Sequence, residues 1–280
     1  MTALEIRRAR PLLGTFVEIA ARAADRDAAA SAVSRAFAEV ERLQALLSAH
    51  DPASEVSRLN REAHGRPVTV SRDTWRVLRA ASRLSRQSAG AFDMTLEGGS
   101  RHITFLPGMH VRFARALRID LGGIAKGYCV DRAVAVLQRS GIAGSLVNAG
   151  GDMRAFGPQA FALHLRHPGD PGQLFSLGEI RNAALATSAS YASGRARCAG
   201  RLRDGRSGTP IGPGLSVSVR ASSALLADAL AKVVAADGAQ AEPLLARYGA
   251  HAWVYSAQPG RKPSPAQPGA HREMPCAAAA

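Results

Sequence analysis

Hydrophobic positions recur along the chain with two periods, one typical of helices and the other of strands. Residues 27–49 carry apolar side chains at spacings of three and four, which share one face of an amphipathic helix: Val33, Phe37, Val40, Leu43 and Leu47. This helix is expected to end at the His-Asp-Pro sequence of residues 50–52, because proline cannot continue a helix.

Three further helices and a set of strands follow from the same patterns. One helix begins after the N-cap Ser71, one spans 126–139 and closes at Gly141, and one begins near Ser222. The predicted strands occupy residues 14–20, 145–148, 161–165, 184–187, 215–219 and 251–255. Long helices between well-separated strands indicate a mixed α+β fold with one domain over residues 1–256. Residues 257–280 are rich in Pro, Gly and Ala and are predicted to form a disordered tail.

Composition excludes several classes of protein. A hydrophobic fraction of 46% argues against a disordered chain, and no apolar run reaches the roughly 20 residues that span a bilayer. The 36 Lys and Arg residues exceed the 22 Asp and Glu residues and give a formal net charge of +14, which favours anionic partners. Aromatic residues make up only 5%, and no basic stripe carries interleaved aromatics, so no nucleic-acid partner is expected.

The first residues of the sequence predict a cytoplasmic protein. Residues 1–10 contain several arginines, and the apolar stretch 11–20 is interrupted by Gly14 and Glu18, whereas a secretory signal needs an uninterrupted apolar region. A periplasmic or membrane-associated location stays open if a leader has been lost upstream. The three cysteines are too few and too scattered for a disulfide framework.

The segment richest in candidate chemistry is residues 120–131, Asp-Leu-Gly-Gly-Ile-Ala-Lys-Gly-Tyr-Cys-Val-Asp. Gly122 and Gly123 precede Lys126 at a predicted helix start, where free backbone N–H groups and the positive end of the helix dipole attract anions. This arrangement suits a pyrophosphate, although an ordinary tight turn into a helix would contain the same glycines. The Gly-x-x-x-x-Gly-Lys spacing of a P-loop is absent.

Three other segments combine polar residues with glycine or aromatic residues. Residues 148–152, Asn-Ala-Gly-Gly-Asp, leave a predicted strand through a turn. Residues 50–60 are predicted to be a polar loop after the first helix, and residues 91–95 have the sequence Ala-Phe-Asp-Met-Thr. Each segment alone is weak evidence, because such turns are common.

Taken together and in this order, these segments resemble the FAD:protein FMN transferases, the ApbE-like flavin transferase family. The signature at 120–131 is long and specific, and Leu-Val-Asn-Ala-Gly-Gly-Asp at 146–152 follows it at the expected distance. The matching segments are residues 13–15, 51–60, 92–95, 120–131, 146–152, 186–188 and 226–230.

The resemblance implies a tunnelling-fold-like α+β domain, with mixed or antiparallel sheets and packed helices, that binds FAD in a cleft. It also implies a Mg²⁺-dependent reaction in which FMN passes from FAD to a threonine of a target flavoprotein and AMP leaves. FAD as substrate and a flavoprotein acceptor bearing a threonine are therefore the expected partners.

The same resemblance assigns candidate site residues. Asp204 and Lys126 are the candidate catalytic residues, with Lys126 near the diphosphate. The backbone carbonyl of Gly123 and the carboxylate of Asp228 would hold the metal, since Mg²⁺ prefers oxygen ligands. The residues expected to bind FAD are Leu13, His50, Ala91, Phe92, Asp93, Asp120, Lys126 and Leu202.

Two positions depart from the family pattern. Arg201 stands where the family has a histidine suited to act as a base on the acceptor threonine, and an arginine stays protonated at neutral pH. Lys232 stands four residues after Asp228, where the family has Thr or Ser, and positions four apart share a helix face. Lys232 would either pair with Asp228 and partly replace the metal charge, or be an ordinary solvated residue. Weak Mg²⁺ binding is expected in both cases.

Two functions follow from these features. The chain is either a flavin transferase of the usual kind or a FAD-binding relative that has lost transfer and acts as a flavin carrier or redox accessory factor. The intact phosphate-binding segment favours the transferase, whereas the changes at Arg201 and Lys232 affect the acceptor and metal side.

Overall fold

The structure is a computed structural model that describes residues 4–95, 97–166, 174–190, 202–256 and 264–265. Its helices are α1 (Arg26–Leu47), α2 (Glu55–Glu62), α3 (Arg72–Gln87), α4 (Ala125–Arg139), α5 (Ala224–Asp237) and α6 (Glu242–Arg247). Its strands are β1 (Leu4–Leu12), β2 (Thr15–Ala23), β3 (Val68–Thr69), β4 (Ile103–Leu106), β5 (His110–Phe113), β6 (Gly144–Ala149), β7 (Asp152–Phe156), β8 (Phe161–Arg166), β9 (Leu174–Ile180), β10 (Ala184–Ser190), β11 (Leu215–Ala221), β12 (His251–Ser256) and β13 (Ser264–Pro265).

An eight-stranded sheet is the centre of the fold. Its strands follow the order β1-β2-β6-β7-β10-β11-β12-β13, and all of its neighbouring strands run antiparallel. A three-stranded sheet, β3-β5-β4, and the hairpin β8-β9 complete the strands. Helices packed on antiparallel sheets confirm the predicted α+β class.

The main core lies between the large sheet and three helices. α4 packs between α1 and α5, and all three helices contact strands of the large sheet. The five apolar side chains predicted to share one face of α1 are all buried. A smaller core, which includes Ala20 and Phe161, lies on the opposite face of the sheet. Neighbouring residues of a strand point to opposite faces, so Ala20 of β2 faces away from the main core. No helix in the described ranges is long and apolar enough to cross a membrane.

The predicted helix starts agree with the structure to within two residues. Ser71 caps α3, since its Oγ accepts a hydrogen bond from the backbone N–H of Thr74 at 3.3 Å. Ser223 caps α5 by accepting from Leu226 N–H at 3.3 Å. α4 ends before Gly141, whose φ of +75° favours glycine.

The prediction that residues 50–60 form a loop was wrong, because α2 begins at Glu55. Ser54 caps it by accepting a hydrogen bond from Ser57 N–H at 3.0 Å. Only Val56 and Leu59 supply buried apolar side chains, and two such residues are too few for a clear helical period.

Strand β1 was not predicted either. It is an edge strand of the large sheet, and Ile6 is its buried residue, so its arginine-rich sequence lacks the alternation of a half-buried strand. The strands β3, β4, β5, β7 and β9 were also missed. Of the predicted tail, residues 264–265 pair with Trp253 and Val254 of β12, and the remainder lies outside the described residues.

Candidate active site

Two adjoining clefts contain most of the predicted site residues. Asp120 and Gly122 line both, so the clefts meet at the turn that leads into α4. The first has a volume of about 290 Å³ and the second of about 370 Å³. The first cleft is lined by Ala91, Phe92, Asp93, Gly123, Leu202, Arg203, Gly205 and Lys232. The second is lined by Leu13, Gly14, Gln44, Leu47, Ser48, Ala49, His50, Ala125, Lys126 and Cys129.

The turn at the junction of the clefts is held by hydrogen bonds from distant segments. Asn60 Oδ1 accepts from Ile119 N–H at 2.8 Å, and Asn60 Nδ2 donates to the Ile119 carbonyl at 3.0 Å. Asp120 N–H donates to the Met94 carbonyl, and Asp120 Oδ1 accepts from Gly122 N–H at 2.7 Å. These contacts fix the backbone immediately before the first turn of α4.

One wall of the first cleft depends on a glycine at position 205. Gly205 N–H donates to the Ala91 carbonyl at 3.0 Å, and Gly205 O accepts from Gly98 N–H at 2.9 Å. A Cβ at position 205 would lie only 2.4 Å from the backbone nitrogen of Asp93, so a larger residue would push the two segments apart.

Asp93, a predicted FAD contact, uses its carboxylate to organise the cleft. The side chain is buried, and Oδ1 accepts from Thr95 N–H at 2.8 Å and from Ser100 Oγ at 2.8 Å. Oδ2 accepts from Ser85 Oγ at 2.9 Å. With both oxygens engaged inside the protein, Asp93 shapes the loop that carries Phe92.

Asp204, the second predicted catalytic residue, lies beside the first cleft and is not among its lining residues in the described part of the chain. Its carboxylate pairs with the Arg206 guanidinium at 3.2 Å. Arg206 also donates to Asp237 at 2.8 Å and to the Ala89 carbonyl at 3.1 Å. Sequence reasoning missed Arg206, since no charge pattern links it to Asp237 at the end of α5. Arg201 lies outside the described residues.

A cluster of four charged side chains lies beneath the two clefts. Lys126 pairs with Asp152, the first residue of β7, and Lys232 pairs with Asp228 within α5. Both carboxylates are fully buried, whereas the side chains of Lys126 and Lys232 are 32% and 18% exposed. Lys126 lines the second cleft and Lys232 the first, so one ammonium group borders each cleft.

The two carboxylates of this cluster differ in their surroundings. Burial would raise the pKa of Asp228, but Lys126, Lys232 and the Gly127 N–H outweigh it, and the pKa is lowered. Burial and the neighbouring Asp228 raise the pKa of Asp152 against the opposing effect of Lys126. Asp152 Oδ1 accepts no hydrogen bond from the described residues. The pKa of Lys126 is raised because the two carboxylates outweigh its burial, so Lys126 stays protonated.

Helix packing sets the positions of these charges. A Cβ at Gly127 would lie 2.2 Å from the Ala224 carbonyl oxygen, so glycine is needed where α4 meets the start of α5. Asp131 reaches from α4 to accept from Ala224 N–H at 2.9 Å and from Leu225 N–H at 3.0 Å. This docking places Asp228 close enough to α4 for its Oδ2 to accept from Gly127 N–H at 3.1 Å.

The Gly-Gly-Asp turn at 150–152 places the partner of Lys126. Gly150 and Gly151 have φ values of +63° and +102°, and the Gly151 N–H donates to Asn148 Oδ1 at 3.0 Å. The turn ends at Asp152, which begins β7 beside α4. The sequence singled out this segment but did not indicate that Asp152 is the partner of Lys126.

The described residues do not provide a typical metal-binding cluster. No group of three or more His, Cys, Asp or Glu side chains within them is arranged to hold a metal ion. Of the two predicted metal ligands, Gly123 lines the first cleft, and Asp228 lies beneath it in a pair with Lys232.

Sequence comparisons identify a family that matches most of the chain. A model of the ApbE family matches residues 13–108 and 98–254. The chain is 27% identical over 190 residues to the FAD:protein FMN transferase of Klebsiella pneumoniae, a match that covers 56% of this chain and 59% of that protein. It is 26% identical over 271 residues to the enzyme of the same name from Treponema pallidum, covering 84% and 67% of the two chains.

Comparisons with solved structures agree at the level of the fold. The flavin transferase ApbE from Vibrio cholerae aligns with a TM-score of 0.78 at 23% identity, covering 92% of this chain and 95% of that one. The ApbE protein from Thermotoga maritima aligns with a TM-score of 0.77 at 25% identity, covering 90% and 94%.

Proposed function

Because the chain belongs to the ApbE family, we propose that it is a flavin transferase that moves FMN from FAD to a threonine of a partner flavoprotein and releases AMP. The observation that carries this proposal is the pair of clefts meeting at Asp120, with the Lys126 and Lys232 ammonium groups on either side of the junction. A dinucleotide that fills both clefts would place its diphosphate between the two ammonium groups, since the diphosphate lies between its two nucleoside parts.

In the proposed reaction, the threonine oxygen attacks the phosphorus of the FMN half of FAD. A new P–O bond forms, the bond from that phosphorus to the bridging oxygen breaks, and AMP leaves with the bridging oxygen. The hydroxyl proton passes to solvent water. Fixed positive charge beside the diphosphate favours this step, because negative charge on the leaving phosphate must be stabilised. Lys126 supplies such charge in this proposal.

The catalytic role of Asp204 stays a prediction. Its carboxylate is paired with Arg206, so its described contacts support a role in holding the loop that bears Leu202 and Arg203. Arg201 replaces the histidine expected as a base, and its guanidinium cannot accept the threonine proton at neutral pH. Transfer is therefore expected to be slower than in relatives that have the histidine.

We also propose that Mg²⁺ binds this chain weakly, because the residues at the predicted metal position do not fit a tightly held ion. The Asp228 carboxylate is already engaged by Lys232 and by the Gly127 N–H. Asp152 has one oxygen without a donor among the described residues, yet it is paired with Lys126. Within the cluster itself, two ammonium groups beside two carboxylates leave no net negative charge to attract a divalent cation, and the Asp120 carboxylate at the junction already accepts from Gly122 N–H at 2.7 Å.

The alternative function is that of a FAD carrier that has lost transfer. It is favoured by the same two substitutions, since a protein that binds the diphosphate without a base for the acceptor would hold FAD unchanged. The two functions differ in whether AMP is formed.

The test is co-expression of the chain with flavoprotein substrates of a characterised FAD:protein FMN transferase. We expect a covalently flavinylated acceptor with one FMN per modified threonine in intact-protein mass spectra, and AMP formed in equal amount. Lys126→Ala is expected to weaken FAD binding by roughly 1–3 kcal/mol in titration calorimetry, the scale of a charge-assisted contact.

Lys126→Ala leaves the buried Asp152 carboxylate without its partner, so a second variant is compared with it in the same calorimetry. Lys126→Met with Asp152→Asn removes both charges of the pair and leaves no buried carboxylate unpaired. It should lose FAD affinity as Lys126→Ala does. Tight FAD binding without AMP formation would favour the carrier, and the absence of flavin binding would contradict both functions.

A further inference from the structure

The side chain of Lys232 lies beside Gly123 and pairs with Asp228, the two residues predicted to hold a metal ion. A Cβ at Gly123 would lie 3.7 Å from Lys232 Cε, and the Lys232 ammonium pairs with Asp228 on the other side. Lys232 therefore bridges from the cleft wall at Gly123 to the carboxylate beneath it, and it lines the first cleft as it does so.

The charges of the four-residue cluster that contains this lysine balance without an added ion. Asp152 and Asp228 contribute two negative charges, and Lys126 and Lys232 contribute two positive charges. Both carboxylates are fully buried behind lysines that retain partial exposure to the clefts. A diphosphate at the junction would thus meet the two ammonium groups, whereas the carboxylates of Asp152 and Asp228 are screened from it by their partners. The Asp120 carboxylate, which lines both clefts, uses Oδ1 to accept from Gly122 N–H.

We infer that the Lys232 ammonium is a built-in cation that takes the place of a divalent metal, so that this chain binds the diphosphate of its nucleotide through Lys126 and Lys232 without Mg²⁺. This inference rests on the proposed function, since it assumes a dinucleotide ligand in the two clefts. Lys232, which departs from the family pattern, would thus bind the diphosphate in place of the metal ion.

If the Lys232 ammonium takes the place of a metal ion, Mg²⁺ should restore FAD binding once the lysine is removed. Lys232→Thr removes the ammonium and provides a hydroxyl beside Asp228, whose carboxylate then loses its direct ion pair. FAD affinity of this variant should fall about tenfold or more in EDTA, the scale of one lost charge-assisted contact. Millimolar Mg²⁺ should restore most of that affinity, because the free carboxylate and the hydroxyl can now bind it.

Titration calorimetry with FAD, in EDTA and in millimolar Mg²⁺, tests this prediction. The parent protein should bind FAD with the same dissociation constant in both buffers. Titration of Mg²⁺ into flavin-free protein gives a second readout, and Lys232→Thr should bind the ion more tightly than the parent does. Arg247→Met, which removes one exposed charge from α6, should behave like the parent in every titration.

A second variant keeps the test valid if Lys232→Thr is poorly folded because it leaves Asp228 buried and unpaired. Asp228→Asn with Lys232→Met removes both charges, and thermal melts establish whether it folds. It should bind FAD as weakly as Lys232→Thr does in EDTA, and Mg²⁺ should not restore the affinity, because the carboxylate is gone.

The possible results separate this inference from the proposed function. A parent protein that binds FAD only when Mg²⁺ is present would overturn the inference and leave the flavin-binding function intact. Undiminished FAD affinity in EDTA for the folded double variant would also overturn it. A parent that binds no FAD in either buffer would overturn the proposed function itself, and the inference with it.

Discussion

Adjacent residues of the 120–131 segment have different tasks. Lys126 borders a cleft, whereas its neighbour Gly127 allows α4 to pack closely against the start of α5. A Cβ at position 127 would collide with the Ala224 carbonyl. Asp120 shapes the turn into α4, and Asp131 at the other end of the segment binds the backbone of α5. The segment therefore contains residues that pack helices as well as residues proposed to bind a ligand.

Cys129, in the same segment, is expected to be unreactive in the folded protein. It is fully buried, and burial, reinforced by the charges of Glu39 and Asp228, raises the pKa of its thiol to about 12. Since the thiolate is the reactive form, iodoacetamide at about pH 8 should leave Cys129 unmodified until the protein is denatured. Peptide mass spectrometry distinguishes Cys129 from Cys198 and Cys276, and rapid labelling of native Cys129 would contradict the prediction.

At the scale of the elements, α5 is positioned by a side chain of another helix. Asp131 of α4 accepts hydrogen bonds from two backbone N–H groups in the first turn of α5 and pairs with Arg154 at 2.7 Å. The N-cap Ser223 satisfies a third N–H group. Because α5 carries both Asp228 and Lys232, its docking on α4 decides whether the charge cluster forms.

Asp131→Ala is therefore expected to affect stability and ligand binding together. It leaves two N–H groups of α5 without their acceptor, and we expect the free energy of unfolding to fall by about 1–3 kcal/mol. Asp131→Asn retains one acceptor oxygen and should cost less. Ser223→Ala, which removes an ordinary cap, should cost about 1 kcal/mol.

Urea denaturation measures the loss of stability for each of these variants, and calorimetry with FAD measures the loss of affinity. We expect Asp131→Ala to weaken FAD binding more than Ser223→Ala does. Equal effects on FAD binding would show that Asp131 contributes no more than a cap.

At the scale of the whole molecule, the clefts are assembled from parts that are far apart in the chain. The turn between β1 and β2 supplies Leu13 to the second cleft, and the segment before α4 supplies Asp120 to both. The loop that contains Leu202 and Gly205 lines the first cleft. Arg206 connects this loop to Asp237 and to the Ala89 carbonyl, so it joins three separate parts of the fold.

Replacing Arg206 by Met should loosen the wall of the first cleft with little loss of global stability. Its side chain is 39% exposed, and exposed ion pairs contribute at most about 1 kcal/mol. We expect the melting temperature to change little while FAD affinity falls, because Leu202 and Gly205 lose their anchor. Hydrogen exchange across residues 202–210 provides the direct measurement, and unchanged exchange with unchanged affinity would contradict this role.

The sequence alone determined the family, the α+β class and the main helices. The stripe on α1 and the caps of α3 and α5 are local signals, because helix periodicity and capping depend on residues close together in the chain. The segments at 120–131 and 148–152 could be singled out for a similar reason, since glycines and charges at a turn are visible without the fold. The predicted FAD-binding residues each line at least one of the two clefts.

Only the tertiary structure decided which charges meet. Lys126 and Asp152 are 26 residues apart, and Asp131 and Ala224 are 93 apart, so their contacts depend on how α4, α5 and β7 pack. Sequence spacing allowed Lys232 either to pair with Asp228 or to remain solvated, and the burial of Asp228 beneath the cleft selects the pair. Helix α2 and the edge strand β1 escaped prediction because they bury few apolar side chains, and their stability comes from neighbours supplied by the fold.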